Sequence, residues 1–188
     1  MDSLAEPYVH PSAVVDDGVE LHAGVKIWHF CHVRKKAILE QDVSIGRDVY
    51  VDEGVRIGQG SRVQNGVSIF SGVDVAPWCF IGPHVIFTND AFPRVGKRSW
   101  KLVRTRLETG MSIGAGAIIR CGITLGAFSM VGAGAIVTKS VPPFHMAVGF
   151  PAECRQMVCA CGDTFLPIAS SAEEVLRDCC REQLAEDV

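Results

Sequence analysis

The chain has 188 residues, of which 48% are apolar, 21% charged and only 7% aromatic, and it carries 19 glycines. That composition excludes a disordered chain and calls for a core of small aliphatic side chains in a glycine-punctuated sequence. Eighteen basic against 21 acidic residues leave a net charge of −3, which lacks the basic footprint of a general nucleic-acid binder and leaves an anionic small-molecule ligand open.

The first residues, Met1-Asp2-Ser3-Leu4-Ala5-Glu6-Pro7, put acids where a signal peptide needs bases. No run approaches the ~18 apolar residues of a spanning helix. The expectation is a cytoplasmic protein with no membrane partner. Its eight cysteines are then reduced thiols or metal ligands rather than a disulfide framework.

Apolar residues recur every six positions: Val9, Val15, Leu21, Ile27, Val33, Leu39, Ile45, Val51, Ile57, Val63, Ile69, Val75, Ile81 and Phe87. A small or apolar residue stands two before most of them, as at Val25, Cys31, Ala37, Ser61 and Cys79. Six is not a helix period, and an i−2/i pair facing inward is a short strand. Gly follows the apolar position at Gly46, Gly58, Gly82, Gly114, Gly126 and Gly132, where we expect it to relieve backbone restriction at a turn. Each hexad is one side of a coil, and three sides make a turn of an all-β solenoid.

The phase breaks after Phe87 and returns at Leu107, Ile113, Ile119, Leu125, Val131 and Val137. The intervening loop, 88–106, is long enough to be functional. Twenty hexads predict about 6.7 coils. Beyond Pro151 the pattern stops; Ser171-Ala172-Glu173-Glu174 is a capping box, and Val175, Leu176, Cys179, Cys180 and Leu184 form a helical stripe. The expected organisation is a solenoid domain over 1–155 and a C-terminal α-helical appendage over 156–188.

These hexads, with Ile119-Arg120-Cys121-Gly122, Val131-Gly132-Ala133-Gly134-Ala135 and Val148-Gly149-Phe150-Pro151-Ala152, resemble the left-handed parallel β-helix acyltransferases of the hexapeptide class over about residues 8 to 155. Trp28-His29-Phe30, Val63-Gln64-Asn65, Phe87-Thr88-Asn89-Asp90 and Pro93-Arg94 are similar to N-acetyltransferases acting on the 3-amino group of nucleotide-linked sugars. The resemblance implies the left-handed sense, a homotrimer with sites between subunits, acetyl-CoA as co-substrate and a nucleotide-linked amino sugar as acceptor. It also implies substrate contacts at Trp28, His29, Gln64, Asn65, Phe87 and Arg94. Two readings compete: a non-catalytic solenoid scaffold, and an O-acetyltransferase of the same fold. A scaffold has no need of the long loop or the aromatic corner.

Stacking places residues eighteen apart above one another, so Glu53, Ser71 and Asn89 line one edge, with Cys121 above them if the loop leaves the frame intact. Asn89 stands where the coil opens and is a candidate to orient the amine or donate to the developing oxyanion; an amide cannot act as a base. His84, expected on the same strand, is the candidate base. His29 and His32 flank the aromatic corner as candidate sugar or base contacts, and Glu53 joins the substrate group through its column. No two histidines are five apart, which weakens a zinc-dependent carbonic anhydrase reading. Gly114-Ala115-Gly116 and Gly132-Ala133-Gly134 lack the third Gly and the helix of a dinucleotide fingerprint. By resemblance they carry the CoA arm at Ala115, Gly116 and Ala133, with Pro151, Lys139 and Arg155 near it and the two cations as candidates for the CoA phosphates. Cys31 and Cys79 read as core fillers. Cys159-Ala160-Cys161-Gly162 looks like half of a zinc ribbon, but adjacent Cys179-Cys180 are a poor second half on a helix, so no metal is expected.

Overall fold

The computed structural model describes residues 5–96, 101–163, 165–168 and 170. The hexads form a three-faced solenoid. Twenty short strands run from Tyr8–Val9 to Ile136–Val137 and pass in turn along a first, second and third face, each pairing in parallel with the strand one coil away. Within an unbroken stretch the register is eighteen residues, as in Lys26 with Ser44 and Ser44 with Arg62. The i and i−2 residues point inward, and from Val25 to Val137 they are buried almost without exception, Ile27, Leu39, Ile45, Ile57 and Ile113 having no exposed surface. Fully burying a Val, Leu or Ile side chain contributes roughly 1.5–3 kcal/mol, so this apolar stack holds the prism together. Ala13, Val15, Val19 and Leu21 are only half-buried because the first coil has a neighbour on one side.

Across the long loop the register jumps. Asp74 pairs with Arg106 and Ile86 with Ile118, a spacing of 32, which is fourteen more than the repeat, so the loop adds residues at one corner without shifting the frame. The strand after it begins at Thr105 (Thr105–Leu107), two residues earlier than expected, and Thr105 is buried.

The solenoid also runs further than the hexads. Val141 bridges Leu125 and Met146 pairs with Met130, both sixteen apart. This two-residue shortening broke the period and hid a further partial turn, giving the first face eight parallel strands rather than seven. The chain then reverses: His145–Gly149 pairs antiparallel with Ala152–Val158, which pairs with Phe165–Leu166. Ala152–Val158 runs straight through the expected boundary at 155. No helix occurs among the described residues, and the expected helix over 171–184 lies outside them.

The glycines after the apolar positions have a different cause from the one expected. Gly82 and Gly114 do not adopt a left-handed backbone; a Cβ on Gly82 would sit 2.7 Å from the Ile113 carbonyl oxygen, and one on Gly114 would sit 2.5 Å from the Ala133 nitrogen. Close approach of the next coil, not a turn, requires them. The left-handed residue comes two positions later, at Phe30, Asp48, Gly66, His84, Gly116 and Gly134 along the corner between the first and second faces.

Candidate functional site

That first corner gathers much of the chemistry. Trp28, His29 and Phe30 are exposed at its lower end. The His29 ring stacks on His10 with centroids 3.6 Å apart, and Trp28 lies 5.5 Å from Tyr8. Trp28, His29, Ser44, Arg47, Gln64 and Asn65 line a hollow of about 360 Å³. It continues across the first face into one of about 420 Å³ that adds Lys26, Asp42 and Arg62. One coil locks to the next here, since the Arg47 N–H donates to the Asn65 side chain at 3.0 Å and the His84 N–H to the Asn65 carbonyl at 2.9 Å. His84 is exposed with φ of 57°, and its ring occupies the space left by the missing Cβ of Gly66. Above His84 the corner is bare. Ala115, Gly116, Ala133 and Gly134 are exposed, and a Cβ on Gly116 or Gly134 would meet nothing within 4 Å. The line therefore reads aromatic and basic below, imidazole in the middle, naked backbone above.

Asn89 is elsewhere. The strand Ile86–Phe87 separates it from His84, so the two lie at opposite ends of that strand, on the order of 15 Å apart at ~3.3 Å per residue, and not on one strand as expected. Asn89 sits at the corner between the second and third faces, where the loop leaves. Thr88 anchors it there: its N–H donates to the Ile119 carbonyl at 3.1 Å, and its hydroxyl accepts from the Cys121 N–H at 2.9 Å. Below it, the Ser71 hydroxyl donates to the Glu53 carbonyl at 2.9 Å, so the column through Glu53, Ser71, Asn89 and Cys121 forms. The Glu53 carboxylate is engaged by Lys36 at 3.0 Å and Lys35 at 3.6 Å, and the Lys36 hydrogen bond is the first cause holding its carboxyl below the usual range. Arg94 is exposed on the loop; Lys97 and Arg98 lie outside the described residues.

Of the remaining expected site residues, Phe87 is 1% exposed and fills the core, because it occupies the inward hexad position. His32 faces outward on the second face and bonds Asp16 at 3.0 Å. Asp16 also takes Arg34 at 3.1 Å, Arg34 donates to the Tyr50 hydroxyl at 3.1 Å, and Tyr50 donates to Asp52 at 3.0 Å, a ladder climbing toward the Asn89 edge. Lys139 and Pro151 line a hollow of about 280 Å³ where the terminal hairpin closes the solenoid, on the Asn89 side and away from Ala115 and Ala133. Arg155 pairs with Glu153 at 2.7 Å. Sequence reasoning missed Lys26, Ser44 and Arg62. Their signal was available in the i−1 positions of three hexads eighteen apart, which face outward.

Residues 36–71 and 106–139 match the family model for the hexapeptide repeat of succinyl-transferase. The chain is similar to that repeat over these two stretches, which flank the long loop. It is 43% identical over 58 residues to dTDP-3-amino-3,6-dideoxy-alpha-D-galactopyranose 3-N-acetyltransferase of Aneurinibacillus thermoaerophilus, which covers 31% of this chain and 30% of that protein. A putative acetyltransferase of Schizosaccharomyces pombe is 47% identical over 47 residues, 25% of this chain and 23% of the relative. The chain thus spans less than a third of the length of these curated relatives. Among solved structures, a mutant form of GDP-perosamine N-acetyltransferase of Caulobacter crescentus, in complex with CoA and GDP-perosamine, superposes with a TM-score of 0.51 at 23% identity, covering 78% of this chain and 54% of that one. A hexapeptide-repeat acetyltransferase of Vibrio cholerae in complex with acetyl-CoA gives 0.58 at 22%, covering 65% and 70%. At these identities the structural likeness speaks to the fold.

Proposed function

We propose that this protein is an acetyl-CoA-dependent N-acetyltransferase acting on the amino group, at C3, of a nucleotide-linked sugar in the cytoplasm. We further propose that it works as a left-handed β-helix homotrimer. The observation that carries this reading is the composition of the first corner, where an aromatic and cationic hollow, an exposed imidazole and a run of bare backbone stand in line. The curated relative's acceptor, a dTDP-linked 3-amino sugar, and the motif Phe87-Thr88-Asn89-Asp90 support the choice of an amine over a hydroxyl.

Each site is then composite. The first corner of one subunit meets the loop corner of its neighbour, so that Asn89 approaches the groove it cannot reach within its own chain. Trp28 and His29 offer flat faces to a nucleotide base, while Lys26, Arg47 and Arg62 offer cations to its diphosphate. Exposed backbone at Ala115, Gly116 and Ala133 lets the extended pantetheine lie close, and Lys139, Pro151 and Arg155, at the other corner, reach its distal end from the neighbouring subunit of the trimer. A sugar amine near the ~8 of an α-amino group is partly neutral at pH 7, so attack needs orientation more than a strong base. The Asn89 amide orients the amine or donates to the developing oxyanion, and His84 takes the proton released as the C–N bond forms and the thioester C–S bond breaks.

A thermal-shift titration with acetyl-CoA tests the reading against a scaffold. A ligand at 100 times its Kd stabilises the fold by about 2.7 kcal/mol, so the unfolding midpoint should rise with acetyl-CoA. A scaffold gives no shift.

A further inference from the structure

Because each strand stacks on the one a coil away, the outward residues of the three faces form three columns. On the first face Lys26, Ser44, Arg62 and Phe80 follow one another, and on the third Ile38, Arg56, Asp74 and Arg106. Both columns carry exposed charges. The second face differs: above His32 it runs Tyr50, Ser68, Ile86, Ile118 and Ile136. Ile86 is 50% exposed, and Ile118 and Ile136 are half-buried, while the residue after each, Phe87, Ile119 and Val137, fills the core. Three isoleucines on adjacent strands thus stand in one outward stack, an apolar surface that calls for a partner. The two edges of this same face carry the two half-sites, His84 at the corner with the first face and Asn89 at the corner with the third.

We infer that the second face lines the threefold axis of the homotrimer, with the Ile86, Ile118 and Ile136 stacks of three chains packed against one another. This rests on the composite site proposed above and adds which surface builds it. In a closed ring of three, one edge of each prism meets the opposite edge of its neighbour. The edges on either side of the second face meet only when that face turns inward; placing the corner between the third and first faces at the axis would splay them apart. Charge selects the same face. On a threefold axis every residue faces two copies of itself, so Lys26 and Arg62, or Arg56 and Arg106, would be set against like charges, which is costly away from water. Tyr50, Ser68 and the isoleucines meet their copies without that penalty, and burying their exposed apolar surface favours association. Lower on the same face, Asp16 is already matched by His32 at 3.0 Å and Arg34 at 3.1 Å. The first face then looks outward, which leaves the hollow around Lys26 and Arg62 open to substrate beside the cleft.

The test is sedimentation equilibrium of the full-length chain and of four outward variants, with circular dichroism to show that each is folded. The wild type should sediment as three chains. Ile86→Arg and Ile118→Arg should fall to the 20.3 kDa of one chain, whereas Ser112→Arg on the first face and Thr124→Arg on the third should stay trimeric. Should the second-face arginine variants fail to fold, Ile118→Cys decides: a residue at the axis meets its own copies, so mild oxidation should give disulfide-linked dimers that the wild type does not form. A monomeric wild type, a trimer that survives folded Ile118→Arg, dissociation in Ser112→Arg or Thr124→Arg instead, or no self-linked Ile118→Cys would each overturn the assignment. Assembly is measured without substrate, so the two readings fail separately. A wild type that assembles through this face but never acetylates an amine contradicts the activity alone, and an active enzyme whose trimer survives Ile118→Arg contradicts the face alone.

Discussion

His84 and Asn89 stand at the two ends of one short strand, Ile86–Phe87, and so belong to different corners of the prism. This separation divides their roles. If Asn89 orients the amine or donates to the oxyanion, Asn89→Ala should lower kcat by roughly 10²–10³, the scale of one lost oxyanion donor, with the unfolding midpoint unchanged. His84→Ala should be milder, because the amine is already partly neutral. Steady-state kinetics of the two variants check this; full kcat in Asn89→Ala with none in His84→Ala would make His84 the essential base.

The proposed trimer, with its sites between subunits, predicts complementation. Asn89→Ala disables the loop corner, and Ala133→Trp fills the bare groove on the other corner. Co-expressed with separate tags and purified as mixed trimers, these two inactive variants should recover activity, with about a quarter of the sites in a random 1:1 mixture drawing an intact half from each neighbour. Sites contained within one chain would stay inactive in every mixture.

Two glycines at related points of the coil should respond oppositely to asparagine. Gly82 abuts the Ile113 carbonyl and the Ala115 nitrogen, so Gly82→Asn should destabilise by about 1–3 kcal/mol or more, as overpacking does. Gly116 has a left-handed φ of 68° and open space around it, a conformation Asn tolerates, so Gly116→Asn should cost less than about 1 kcal/mol. Denaturant unfolding of the two variants compares them directly.

The ladder on the second face contributes to the acid limit of stability. The hydrogen bond with His32, reinforced by Lys35 and Arg34, holds the Asp16 carboxyl below its ordinary value. At Asp52 partial burial pushes upward, but N–H donors of Ser71 and Glu53 and the Tyr50 hydroxyl outweigh it. Both groups bind fewer protons folded than unfolded, so their stabilisation is present above the ~3.9 of an unfolded aspartate and is lost as pH falls through the lower folded values. The unfolding midpoint should drop below about pH 4, and Asp16→Asn should flatten that drop. A variant with an unchanged acid limb would show that the ladder contributes nothing.

The solenoid was legible because its core repeats: every inward residue of a hexad meets the same environment, so Val, Ile and Leu recur at fixed spacing. The last partial turn was not, since coils shortened to sixteen residues at Val141 and Met146 lie outside any six-residue register. Of the site, the column through Glu53, Ser71 and Asn89 followed from eighteen-residue stacking. The placement of His84 did not, because a residue's distance along the chain does not say on which side of a strand the corner falls. Phe87 was counted among both the core positions and the substrate contacts, and its inward hexad position decides for the core. Lys26 and Arg62 escaped notice because outward positions carry no apolar signal, although stacking brings them to one hollow with Trp28.

Acetyl transfer to a sugar amine is measured most directly as CoA release from acetyl-CoA in the presence of nucleotide-linked 3-amino and 4-amino sugars, with the corresponding hydroxy sugars alongside. CoA release with a nucleotide-linked 3-amino sugar is expected, with one acetyl group gained on its nitrogen and no turnover of the hydroxy sugars. Turnover confined to a hydroxyl acceptor, or no CoA release with any nucleotide-linked amine from a protein that also shows no thermal shift with acetyl-CoA, would contradict it.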